Sequence, residues 1–208
     1  MHLNKGELFV VRPMELKDID QAVNVHMKAF NGYMNASLGR NYVKHFLMWF
    51  INSPLATAWV AEDSNKIIGY LVGAKLGYDS ELNRSLLLVG VKAILTHPFI
   101  LFHPHFLRTV KMRLKLLFNK PIKTKEIFKE PDGVGISLVG IASYSDKSIK
   151  GVGKGLMTAF QNFAQSNGYA FTRLSVYEEN TRARSLYEKT GWQCLNRNQN
   201  VLYYYNIH

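Results

Sequence analysis

The stretch from Val139 to Met157, V-G-I-A-S-Y-S-D-K-S-I-K-G-V-G-K-G-L-M, constrains this 208-residue chain more than any other. Its approach, from Val134 through Ser145, is a short run rich in Val, Ile and Leu that predicts a buried strand. From Leu156 the apolar residues change to helical spacing, with Leu156, Phe160, Phe163 and Ala164 on one face and Gly168 placed to end the helix. Between strand and helix lies Gly151-Val152-Gly153-Lys154-Gly155. A glycine-rich turn that opens a helix leaves the first backbone N–H groups unpaired, and the helix dipole favours an anion there. The stretch therefore reads as a phosphate cradle. Neither the G-x-G-x-x-G spacing of dinucleotide folds nor the G-x-x-x-x-G-K-[ST] of P-loops is present.

The spacing Lys150-x-x-Gly153-x-Gly155 resembles the [Q/R]-x-x-G-x-[G/A] motif of the GNAT superfamily, the acetyl-coenzyme A dependent N-acetyltransferases. One strand later the chain reads Leu174-Ser175-Val176-Tyr177-Glu178-Glu179-Asn180, then Ala183, Tyr187, Gly191 and Trp192. This matches the family's L-x-V-x-x-x-N-x-x-A-x-x-x-Y-x-x-x-G-[F/W] segment. The two motifs cover the chain from about Val134 to its end, and the first half matches in pattern only.

The resemblance implies an α/β (α+β) fold: a central, mostly antiparallel mixed sheet flanked by helices, with an enlarged helical insertion between the third and fourth strands. It implies an acyltransferase with acetyl-CoA as co-substrate and no metal, in which a primary amine attacks the thioester directly in a ternary complex. Ser143, Tyr144 and Ser145 then run along the pantetheine arm. Lys150, Gly151, Val152, Gly153, Lys154 and Gly155 meet the pyrophosphate, although Lys150 departs from the usual Gln or Arg. Asn180 helps hold the arm, or caps a helix, or both. Tyr187 matches the tyrosine proposed as general acid for the departing thiolate, a role a phenol titrating near 10 can fill. Tyr33, Met34 and Tyr42 fall where the family builds one wall of the acceptor site. No residue presents itself as the general base; Glu62, Asp79, Glu81, His103, His105 and Asp146 are the alternatives.

The remaining sequence fits one domain spanning residues 1–208. Glu7 to Arg12 predicts a first strand. Asp18 stands as N-cap to a helix carrying Ile19, Val23, Met27 and Phe30, with His26 at the edge of its apolar face. A loop from Asn31 to Gly39 leads to an apolar helix over 41–52. Thr57–Glu62 and Ile67–Leu76 form a hairpin about Asp63-Ser64-Asn65-Lys66. The connection from Gly77 to Gly133 is too long for an unstructured loop, and two helices are expected in it, over 85–95 and from Pro104. In the second, Phe106, Leu107, Val110, Leu114, Leu117 and Phe118 share one arc. The chain ends in a strand over 171–177, a helix closed by Gly191 and a final hairpin.

The formal charge is +11, and no acidic residue occurs from Leu82 to Lys125. This basic insertion suits a lid that steers anionic ligands or a peripheral contact with an anionic membrane. The expected acceptor is accordingly a nucleotide-linked amino sugar or another small anionic amine. A protein or peptide amine, and a CoA-binding module acting at a membrane surface, are the alternatives. No nucleic-acid module accompanies the charge, so no nucleic acid partner is expected; a homodimer stays open. The single cysteine, Cys194, allows no intramolecular disulfide, and the N-terminal segment has no secretory h-region, which together point to the cytoplasm.

Overall fold

A computed structural model describes residues 9–96, 131–144, 149–198 and 200–207, together with Pro98, Leu101 and Leu107. Seven strands form one sheet: β1 (Val10–Pro13), β2 (Ala56–Asp63), β3 (Lys66–Lys75), β4 (Gly135–Ser143), β5 (Phe171–Tyr177), β6 (Gln193–Asn198) and β7 (Asn200–Asn206), in the order β1-β2-β3-β4-β5-β7-β6. All neighbours are antiparallel except β4 and β5. The mixed, mostly antiparallel sheet is the one expected.

Helices α1 (Ile19–Ala29), α2 (Met34–Ser37), α3 (Arg40–Asn52) and α4 (Asp79–Thr96) precede β4; α5 (Val152–Ser166) and α6 (Thr181–Lys189) follow it. Side chains alternate across each strand, so the sheet carries two cores. Val23, Val25, Leu47 and Phe50 of α1 and α3 pack with Val60, Tyr70 and Val72 on one face. Leu156, Met157 and Phe160 of α5 pack with Leu71, Ile136 and Leu174 on the other. The approach of α5 is close because β3 carries Gly69 and Gly73. A Cβ on these residues would lie 2.8 Å from Val152 and 2.4 Å from Phe160.

Several local readings change. The hairpin turn puts both Ser64 (φ 48°) and Asn65 (φ 64°) in the left-handed region, the primed geometry that matches strand twist, without a glycine. Asp18 occupies the N-cap position of α1, yet its side chain makes no capping bond there. Its carboxylate instead accepts two hydrogen bonds from Arg12, at 2.6 and 2.8 Å, and one from the Glu15 N–H. A short α2 forms within the expected loop. The first helix of the insertion begins at Asp79, six residues before the predicted start. The second, from Pro104, lies outside the described residues, apart from Leu107. No helix among the described residues is long and apolar enough to cross a membrane.

Candidate active site

The site is created where β4 leaves β5. Their pairing runs only from Gly135–Phe171 to Ser137–Arg173. Against β3, Gly73 pairs with Leu138 while Val72 pairs with Gly140, so Val139 is the extra residue of a bulge. A bulge bends its strand and reverses the side-chain alternation beyond it. Accordingly Ile136 and Leu138 face the α5 core, whereas Ala142 faces the α1 core. Strand β5 stays paired with β7 along its whole length, so the strands open a gap through the sheet.

A cavity of 370 Å³ fills that gap. Its two strand walls are Leu138–Ile141 and Leu174–Tyr177. On the side of α6 it meets Asn180, Ala183 and Tyr187; on the side of α1 and α3 it meets His26, Phe30, Tyr33, Asn35, Phe46 and Tyr70. No Asp, Glu, Lys or Arg is among the described lining residues.

Next to the gap, α5 begins with Gly151 in the left-handed conformation (φ 88°), which glycine adopts without strain. Its first backbone hydrogen bond runs from the Gly155 N–H to the Gly151 carbonyl at 2.8 Å. The N–H groups of Val152, Gly153 and Lys154 therefore precede the helical ladder and are available to an anion. Lys150 and Lys154 are exposed beside them. Gly155 serves packing: a Cβ there would lie 3.0 Å from Phe9. Gly153 sits against Leu186 of α6, also at 3.0 Å.

Tyr187 is 5 % exposed and lines the cavity. Burial pushes its phenol well above the ordinary value, which keeps the proton on the oxygen. Asn180 caps α6, accepting a hydrogen bond from the Ala183 N–H at 3.1 Å, and also lines the cavity. The capping bond is the one expected of that residue. Tyr33 lines the cavity too, with its ring 6.4 Å from that of Tyr177.

Other expected site residues lie elsewhere. Tyr42 packs with Leu38, Ala93 and Ile94 between α3 and α4 and does not line the cavity, because α4 covers that face of α3. Met34 opens α2, and its side chain lies outside what is described, as does Ser145. Ser143 and Tyr144 stand beyond the bulge, past the wall segment 138–141: Ser143 pairs with Gly69, and the Tyr144 N–H donates to the Ile68 carbonyl at 2.9 Å. Among the described residues, the stretch of β4 that lines the cavity is 138–141. The bulge decides this, and no residue type announces it.

Among the base alternatives, Glu62 accepts a hydrogen bond from Arg12 at 2.6 Å and Glu81 accepts one from Ser53 at 3.1 Å. Neither these nor Asp79 lines the cavity. His103, His105 and Asp146 lie outside the described residues. Sequence reasoning missed His26, which reads as a boundary residue on the helical wheel. The residue is 4 % exposed, its Nδ1 lies 2.6 Å from the Tyr70 hydroxyl, and burial lowers its pKa to about 4. No group of three or more His, Cys, Asp or Glu side chains able to hold a metal exists among the described residues.

No protein-family profile matches the chain, and no curated protein matches it in sequence. Solved structures do match. The ribosomal-protein-S18-alanine N-acetyltransferase from Escherichia coli superposes with a TM-score of 0.57 at 11% identity, over 96% of this chain and 94% of that one. Arabidopsis thaliana NAA60 in complex with acetyl-CoA gives 0.59 at 13% identity, over 96% and 98%. The PaiA N-acetyltransferase from Thermoplasma acidophilum in complex with coenzyme A gives 0.57 at 10% identity, over 95% and 98%. In fold, this chain is similar to these solved N-acetyltransferases.

Proposed function

We propose that the 208 residues form one acyltransferase unit that moves an acetyl group from acetyl-CoA to a primary amine in a ternary complex. The observation that carries this reading is the gap between β4 and β5, which holds a cavity ending in an aromatic chamber on the side of α1 and α3. An extended pantetheine arm fits the unpaired edge of β4 at 138–141, with Ser143 and Tyr144 beyond it and Asn180 opposite. The pyrophosphate meets the N–H groups at 152–154, between Lys150 and Lys154.

In the transfer, the amine lone pair attacks the thioester carbonyl carbon, the C–N bond forms and the C–S bond breaks. Tyr187 gives its proton to the departing sulfur and recovers one released from the amine nitrogen, so no net charge is left on the protein. Burial keeps the phenol protonated before the transfer, so the proton is on the oxygen when the sulfur departs. The measurement is thiol release over a panel of amines with Tyr187→Phe as the comparison. We expect kcat to fall roughly 10²- to 10³-fold in the variant while acetyl-CoA still binds; an unchanged kcat would remove Tyr187 from the mechanism.

A second reading has one observation in its favour. Helix α4 exposes Leu87, Leu88, Val91 and Leu95 beside the exposed Arg84 and Lys92, a surface suited to a peripheral membrane contact.

A further inference from the structure

The chamber on the α1 side contains a polar group with no assigned work. His26 is buried and touches aromatic rings all round: Phe30 at 4.7 Å between centroids, Phe46 at 6.2 Å and Tyr70 at 6.0 Å. Its Nδ1 has the Tyr70 hydroxyl at 2.6 Å, but its Nε2 is buried with no partner among the described residues. A buried unpaired nitrogen costs on the order of 1–3 kcal/mol and calls for an explanation.

Counting partners decides which nitrogen holds the proton. Tyr70 is fully buried, and His26 is the hydrogen-bond partner its hydroxyl has among the described residues. If Nδ1 carried the proton, it would donate to the phenolic oxygen, and both the phenol O–H and the Nε2 lone pair would be stranded. If the phenol donates to Nδ1, the Nε2–H alone is unpaired. The second arrangement strands fewer groups, so His26 offers a fixed N–H donor.

Taken with the acetyltransferase reading, on which this inference rests, we propose that the acceptor is a small amine on an aromatic body, carrying an oxygen that accepts a hydrogen bond from His26 Nε2–H. The rings of Phe30, Tyr33, Phe46 and Tyr177 give an aromatic body the edge and face contacts such rings prefer. The absence of charged side chains from the described lining leaves an anionic acceptor without a cation to meet and a polyamine without a carboxylate. The 370 Å³ must take the end of the pantetheine arm as well, which keeps the acceptor small.

The test compares tyramine, which has a ring oxygen, with phenethylamine, which lacks it, and with a phosphorylated amino sugar and spermidine, all read by thiol release from acetyl-CoA. Acetyl-CoA binding is measured by calorimetry on the same preparations. Tyramine should have the highest kcat/KM. Replacing both members of the buried pair in His26→Phe with Tyr70→Phe strands neither partner, and it should raise the tyramine KM roughly tenfold while leaving phenethylamine and acetyl-CoA little changed. Long-range 15N–1H NMR of the wild-type histidines should show His26 protonated at Nε2 at pH 7, a readout that needs no variant. Preference for the amino sugar or spermidine, equal effects on the two ring amines, or an Nδ1-protonated ring would each overturn the proposal. Acetyl-CoA binding without transfer to any of these amines would overturn the acceptor class alone, whereas failure to bind acetyl-CoA would overturn the acetyltransferase reading beneath it.

Discussion

At the scale of single residues, the buried polar groups behave differently from what their positions in sequence imply. Burial holds His26 near pKa 4, against 6.5 for a free imidazole, so the folded protein prefers the neutral ring. As pH falls from about 6.5 the unfolded chain takes up that proton first, and stability is lost progressively until about pH 4. The loss amounts to at most roughly 3 kcal/mol from this one group. Urea titrations at pH 7 and pH 4.5 should therefore show a drop in stability that is smaller in the His26→Phe, Tyr70→Phe double variant; equal drops would contradict the assignment. Asp18 acts lower on the scale. Burial alone would raise its carboxyl, but Arg12 and the Glu15 N–H hold it below the ordinary value, so its contribution fades only as pH falls beneath about 4. The motif residues were legible because their chemistry is local: Gly151 needs its left-handed turn and Asn180 its cap wherever the rest of the chain goes. His26 was not, because its burial depends on Tyr70, 44 residues away.

At the scale of elements, strands and helices followed from periodicity, and their order was readable in the described chain except for the short α2. What periodicity does not carry is the phase slip at Val139, where one extra residue moves the cavity wall to 138–141. The glycines of β3 are a signal that could have been read: Gly69 and Gly73 stand four apart on one face, the spacing that lets a helix settle onto a sheet. Helix α4 is the element whose surface remains to be explained. Leu88 and Leu95 are 80 % and 75 % exposed, while Leu82, Leu86 and Ala93 are buried against the body. If this face meets lipid, the protein should sediment with phosphatidylserine vesicles at low salt, and Leu88→Glu with Leu95→Glu should abolish most of that binding. Failure of the wild type to sediment would remove the membrane reading.

At the scale of the whole molecule, the arrangement is a sheet opened from within. The gap between β4 and β5 is lined by residues of α6 on one side of the sheet and by residues on the side of α1 and α3 on the other. One substrate entering from each side would bring amine and thioester together inside the sheet, away from bulk water. The positive charge of the chain, +11, favours a polyanionic co-substrate over long range, and the cradle at 150–155 would fix it at short range. The most direct measurement is calorimetric titration of acetyl-CoA into the wild type and into a Lys150→Glu, Lys154→Glu double variant. Both lysines are exposed, so the exchange leaves the packing of Gly153 and Gly155 untouched. The account predicts one site in the wild type and affinity weakened roughly tenfold or more by the reversal of two charges at the phosphate. Absence of binding in the wild type, or equal affinity in the two proteins, would contradict it.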